Sequence, residues 1–204
     1  MAKFKLQIET GTDNPVLRTK SSKVKDVAAV TPKYEMKLGE FVQEMKKVMD
    51  WEKGLGLAAP QVSENLRICL CKLNPGTDKE MLFVMVNPEI VERSDGRGEK
   101  DSAIWDLSWG NPKRGAVSPD GLVEIDEEGC LSLPSYYVNV VRARWVTVRF
   151  LDGKELLKKG RAFKGSGRDG GLTELTMELN GLNARVVQHE IDHLNSILLT
   201  DNAL

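Results

Sequence analysis

The sequence predicts an α+β fold of mostly antiparallel sheets packed around a central helix that carries an H-E-x-x-H run. Three observations predict it. Strand-like runs outnumber helical ones, short turn signals separate them, and the last periodic segment is a helix holding both histidines of the chain.

Taking the elements in order, Leu38, Phe41, Val42, Met45, Val48 and Met49 recur at three- and four-residue intervals within 31–53. That spacing is one stripe of an amphipathic helix, with Thr31-Pro32 offered as its start and Gly54 as its stop. Arg67 to Leu73 reads as a strand ended by Asn74-Pro75-Gly76, and Met81 to Val86 as a continuous apolar strand stopped by Asn87-Pro88. These two runs predict neighbouring buried strands. Cys69 and Cys71 lie two apart in the first, so they share a face with Cα atoms about 6.5 Å apart. A disulfide between them would be strained, and both read as small buried hydrophobes. Trp145, Thr147 and Arg149 alternate with Val146, Val148 and Phe150 up to Asp152-Gly153, a strand followed by a hairpin turn. Leu175, Met177 and Leu179 alternate with Glu174, Thr176 and Glu178 before Asn180, which can cap a helix over about Gly181 to Asn195. Two polar, glycine-rich stretches, 94–118 and 159–171, read as loop insertions on this core. In the first, Trp105 and Trp109 are expected to fold back onto their own domain. No internal repeat is visible.

A chain of 204 residues with 41% hydrophobic and 29% charged residues is long enough for one core, so a single domain over 1–204 is expected. The formal net charge of -1 excludes the electrostatic footprint of a nucleic-acid binder. No apolar run approaches the roughly 20 residues that span a bilayer, and Met1 to Leu6 alternates charged with apolar residues, unlike a signal peptide. A cytoplasmic protein that engages neither nucleic acid nor membrane is the expectation. Three cysteines, an odd number spread over the chain, make no disulfide framework.

The strongest chemical signal is His189-Glu190-Ile191-Asp192-His193. A spacing of four puts both imidazoles on one helix face, where they can converge on one divalent metal while Glu190 faces the water such an ion activates. A catalytic ion needs a third protein ligand and an open position. Cys130, Asp192, the run Asp126-Glu127-Glu128 and a residue beyond His193 are the candidates. The histidine or glutamate that zinc proteases commonly place downstream is missing, since neither residue type follows His193. Upstream, Gly54-x-Gly56-x-x-Ala59 superficially matches a dinucleotide fingerprint, but it follows a helix and runs into Pro60. Those glycines instead let an extended substrate lie against the backbone, and the Gln61 amide can donate to an oxygen that develops negative charge.

Gly54-Leu55-Gly56-Leu57-Ala58-Ala59-Pro60-Gln61, Glu128-Gly129-Cys130-Leu131-Ser132 and Gln188-His189-Glu190-Ile191-Asp192-His193-Leu194 are similar, in order and approximate spacing, to the three signature motifs of peptide deformylases. The resemblance extends from Asn14-Pro15-Val16-Leu17-Arg18 to Asp201. It implies an α+β fold with Cys130, His189 and His193 as ligands of one divalent ion per chain. That ion is expected to be Fe2+ in the cell, with Zn2+, Ni2+ or Co2+ accommodated in purified protein. The implied reaction removes the formyl group from N-formylmethionyl nascent peptides, with Glu190 as proton carrier and with Gln61 and the backbone N–H of Leu131 as oxyanion donors. The peptide would lie as an added strand beside Leu55, Gly56 and Gly129, its methionine in a pocket lined by Leu182 and Val186. Arg142 would pair with Asp192 to steady the helix.

Ser196 stands where the family usually has glycine and Leu199 where an aromatic is frequent. Many members continue into a C-terminal helix or tail, whereas this chain ends at Leu204, so only a weakened, transient ribosome contact is expected. Two other readings compete: a zinc peptidase using the same helix, and a metal-stabilised binding module without activity. The missing downstream ligand opposes the first. Intact Glu190 and Gln61 oppose the second, because a purely structural ion needs neither.

Overall fold

Leu38, Phe41, Val42, Met45, Val48 and Met49 are all buried, and the helix they specify, α1, spans Leu38–Trp51. The computed structural model describes residues 4–95, 114–158 and 171–204. Helix α1 begins later than Thr31-Pro32 suggests. Residues 30–37 instead close a loop in which the Thr31 N–H donates to the Met36 carbonyl (2.8 Å) and Glu35 takes a positive φ of 52° that no helix tolerates. At the far end, the Gly54 N–H donates to the Met49 carbonyl (2.9 Å), just past the last helical residue.

Seven strands follow: β1 Gly56–Ala58, β2 Ile68–Leu73, β3 Met81–Arg93, β4 Val123–Cys130, β5 Leu133–Ala143, β6 Trp145–Asp152 and β7 Thr173–Asn180. Five form an antiparallel sheet in the order β1-β2-β3-β6-β7, and β4 and β5 form a separate two-stranded ribbon. Alternation sorts the sheet's side chains. Leu57, Ile68, Leu70, Val84 and Val86 face α1, while Ala58, Cys69, Cys71, Met85, Val146, Val148 and Phe150 face the second helix, α2 (Gly181–Leu194). Cys69 and Cys71 are thus free, buried and on one face.

Three sequence expectations are corrected. Strand β3 does not stop at Asn87-Pro88 but continues to Arg93 through a register shift between Val86 and Glu89. Asn87 has φ 53° there, and a proline is tolerated at such a bulge because no ladder N–H is needed. Asp152-Gly153 makes no tight hairpin. The Gly153 N–H stays on β3, donating to the Val84 carbonyl (2.8 Å), and the chain enters a short 3-10 turn, Lys154–Leu157, although β6 and β7 do pair antiparallel. Asn180 holds the N-cap position of α2 but makes no side-chain capping bond. Most of the two expected loop insertions, with Trp105 and Trp109, lies outside the described residues.

The ribbon is the element that periodicity misses. Its strand β5 docks on α2 through Gln188, whose amide bonds both the N–H (3.1 Å) and the carbonyl (2.9 Å) of Ala143. Leu133 and Val140 pack with Leu17, Leu198 and Leu199, so the N-terminal segment and the chain end cover the ribbon together. Helix α2 ends in a Schellman motif: Ile197 N–H to Asp192 carbonyl (2.9 Å), Ser196 N–H to His193 carbonyl (3.2 Å), and Ser196 at φ 63°. That left-handed position is the one where glycine is at home. Among the described residues no helix is long and apolar enough to cross a membrane.

Candidate active site and metal centre

Helix α2 lays its Ala184, Val187, Ile191 and Leu194 on the sheet. A 3.6-residue period then turns Arg185, His189 and His193 toward the ribbon and leaves Leu182 and Val186 lining the cleft beside it. Cys130 ends β4 at a register shift beside Gly129. The bulge aims the thiol at the helix: Cys130 Sγ lies 3.2 Å from His193 Nε2. Ligand atoms of Cys130, His189 and His193 all fall within 4.8 Å of one another.

Behind the imidazoles stands a buried ionic cluster. Glu128 Oε2 contacts His189 Nδ1 (2.9 Å) and accepts from Arg142 Nη2 (2.9 Å), while Oε1 accepts from Arg142 Nε (2.9 Å) and Arg185 Nη1 (2.8 Å). Arg142 also pairs with Asp192, and Arg185 donates to the backbone carbonyls of Val140 and Glu124 (both 3.1 Å). Burial works against charge on Glu128, but Arg142 and His189 outweigh it and hold the carboxyl well below its usual range. Burial opposes a proton on His189 as well, yet Cys130 and Glu128 together hold its pKa well above the ordinary value. The pKa of His193 is driven well down, by burial first and then by His189 and Arg142, which leaves a neutral ring able to ligate.

Gln61 is fixed at the opposite wall. Its Oε1 accepts the Ala58 N–H (2.8 Å), and its Nε2 donates to Ser132 Oγ (3.2 Å) and reaches Cys130 Sγ at 3.6 Å. Glu190, 4% exposed, has burial pushing its carboxyl up to about 7 against the pull of His189. A Cβ on Gly129 would sit 2.8 Å from the Tyr137 ring, so the glycine lets that ring lie flat on β4. These groups border a cleft of about 510 Å³, whose mouth carries the exposed apolar side chains Leu55, Tyr136, Tyr137 and Leu182.

A thiol and two imidazoles suit a borderline transition-metal ion, and Glu128 stands behind His189 where a carboxylate can orient a ligating ring. Glu190 Oε2 and His193 Nδ1 are buried without a hydrogen-bond partner among the described residues, a polar deficit that fits a site built around a bound group.

The polypeptide deformylase family model matches residues 6–166 and 161–204. The chain belongs to the polypeptide deformylase family. It is 34% identical to the peptide deformylase of Dictyoglomus thermophilum over 191 residues, covering 94% of this chain and 88% of that protein. With the enzyme of Mesorhizobium japonicum it shares 33% identity, covering 93% and 79%. Among solved structures it resembles a peptide deformylase from Synechococcus elongatus in complex with actinonin (TM-score 0.67, 25% identity, 100% of this chain and 81% of that one). It also resembles a probable peptide deformylase from Synechococcus phage S-SSM7 (TM-score 0.64, 30% identity, 97% and 99%).

Within this deformylase, the structure brings Gln61, Cys130, His189, Glu190 and His193 together and sets Leu55, Gly56, Gly129, Leu131, Leu182 and Val186 around the same cleft. Of the other third-ligand candidates, Asp192 turns to Arg142 and Asn202, Asp126 and Glu127 pair with Arg114 at the surface, and Glu128 stands behind His189. Sequence reasoning missed Arg185 and Ser132. Arg185 lies four residues before His189 on the same face, a spacing that could have exposed it; Ser132 closes the second motif, but its residue type alone gave it no role.

Proposed function

We propose that this chain is a metal-dependent hydrolase that removes the N-formyl group from N-formylmethionyl nascent peptides and releases formate. The convergence of Cys130, His189 and His193 beside buried Glu190, in a member of the deformylase family, carries the reading. Residues 1–204 act as one catalytic domain, in the cytoplasm, with at most a transient ribosome contact.

Cys130, His189 and His193 would hold one divalent ion, Fe2+ in the cell, which supplies Lewis acidity toward water and the acyl oxygen. Zn2+, Ni2+ or Co2+ would fit the same donors. Glu190 takes the proton from the attacking water and delivers it to the leaving amine, a task suited to a buried carboxyl whose Oε2 has no hydrogen-bond partner among the described residues. The Gln61 amide and the Leu131 backbone N–H donate to the acyl oxygen as it gains charge. Leu55, Gly56 and Gly129 border the extended peptide, and Leu182 and Val186 contact its methionine side chain. Arg142 and Asp192 steady α2.

The test is formate release from formyl-Met-Ala-Ser by metal-loaded protein, with acetyl-Met-Ala-Ser and a longer unblocked peptide alongside. Deformylation should far outpace both alternatives. Equal rates on the two blocked peptides, or faster internal cleavage, would replace this reading with a general amidase or peptidase.

A further inference from the structure

Gln61 is held on the cleft wall at both ends of its carboxamide, and its orientation is not ambiguous. A backbone N–H can only donate, so the atom that accepts from Ala58 N–H at 2.8 Å must be the carboxamide oxygen. The amide nitrogen therefore faces Ser132 Oγ (3.2 Å) and Cys130 Sγ (3.6 Å). Two protons are available on that nitrogen. One has Ser132 as its acceptor, and the other has Cys130 Sγ within reach, on the side of the proposed metal ligands.

Ser132 is 0% exposed. It sits in the two-residue turn between β4 and β5, and its backbone carbonyl accepts the Gly11 N–H (3.1 Å), which anchors the turn to the N-terminal segment. The backbone job would be done equally well by alanine. A buried hydroxyl is costly to desolvate unless it is bonded, and the side-chain partner of this one is Gln61. Without Ser132, the carboxamide would be held by its oxygen and by the longer contact to Cys130 Sγ (3.6 Å), and freer to rock about its terminal torsion, which is broad for glutamine. With Ser132 added, both ends of the amide plane are pinned.

We propose that Ser132 is a positioning residue for deformylation: its hydroxyl takes up one Gln61 N–H and thereby aims the second at the acyl oxygen of the bound formyl group. The inference rests on the donor role given to Gln61 above. It assigns no contact between Ser132 and the substrate, so its effect should fall on kcat and leave KM alone.

The experiment is a double-mutant cycle on full-length, nickel-loaded protein: wild type, Ser132→Ala, Gln61→Leu and the double variant, with kcat and KM for formyl-Met-Ala-Ser and metal per chain measured for each. Ser132→Ala should lower kcat about tenfold with KM within about twofold and metal content unchanged. In the Gln61→Leu background the serine change should cost less than about twofold. In 15N spectra of metal-loaded protein, the two Gln61 amide protons should be well separated in wild type and move together in Ser132→Ala. Ser132→Cys keeps the shape with a weaker acceptor, guards against a folding defect in the alanine variant, and should lie between the two. Gln61→Leu slow but Ser132→Ala at wild-type speed, or an undiminished serine effect without Gln61, overturns the inference alone. Gln61→Leu at wild-type speed removes the donor role itself, and the inference with it.

Discussion

Gly56 and Glu190 oppose each other so closely that a Cβ on Gly56 would lie 2.6 Å from the Glu190 carboxyl carbon. The glycine of the first motif is thus required by the glutamate of the third. Gly56→Ala should push the Glu190 carboxylate out of line while leaving Cys130, His189 and His193 in place. A misplacement near 1 Å costs about 10²-fold in rate. We expect kcat to fall by about that factor with metal content unchanged, read by steady-state kinetics and elemental analysis. A variant with normal kcat would mean that Glu190 can shift without consequence.

Removal of the ion should destabilise as well as inactivate. A ligand bound to the folded state at 100 times its Kd stabilises by about 2.7 kcal/mol. Chelator-treated protein should therefore unfold at a lower temperature and recover on addition of Fe2+ or Ni2+. In Cys130→Ala the chelator should shift Tm much less, because one of three donors is gone. An equal shift in that variant would exclude Cys130 as a ligand.

Arg185 tests the cluster behind His189. Breaking a buried ion pair by removing one partner costs about 3–5 kcal/mol, because a buried charge is left uncompensated. Arg142 still bonds Glu128, so Arg185→Met should fall at the lower end, about 3 kcal/mol, in urea unfolding. Its slope with urea should not change. A loss under about 1 kcal/mol would show that Arg142 alone is sufficient.

Ser196 offers the opposite sign. Its φ of 63° costs an L-residue about 1 kcal/mol that glycine escapes. Ser196→Gly should raise Tm by about 2–4 °C, the shift that 1 kcal/mol gives at this chain length. An unchanged or lower Tm would mean that the Ser196 hydroxyl, bonded to the Asn195 carbonyl at 2.6 Å, offsets the strain.

Asp201 gives a pH dependence away from the cleft. Burial opposes its charge, but Arg18 and the Leu198 N–H (2.8 Å) outweigh it and lower its pKa. A depressed folded pKa means stability that is fully present above the unfolded value near 3.9 and lost as pH falls through the folded value below it. Asp201→Asn should therefore cost about 1 kcal/mol at pH 7, the scale of a lost cap. Thermal melts of the two proteins should converge on acidification below about pH 4. A gap that persists there would assign the loss to shape instead of charge.

Much of this architecture is legible in the chain itself. The stripe from Leu38 to Met49, the alternation at Ile68–Leu73 and Trp145–Phe150, and the four-residue spacing of His189 and His193 are local patterns, because burial on one face imposes a short period on the residues that supply it. The ribbon from Val123 to Ala143 escaped notice for the same reason. It buries a narrow face and leaves Glu127, Ser135, Tyr136 and Tyr137 outward, so no clean period marks it.

What only the tertiary structure decided is which residues meet. Cys130 and His193 are 63 positions apart and Glu128 and His189 are 61 apart, and neither pairing has a local signature. The sequence could propose Cys130, Asp192 or the acidic run as partners for the histidines. The bulge at Gly129, the docking of Ala143 on Gln188, and the Arg142 and Arg185 bonds to Glu128 select among them. Local periodicity fixes which face of an element is buried, but the approach of two elements depends on packing and buried charge summed over both, which no single window of sequence contains.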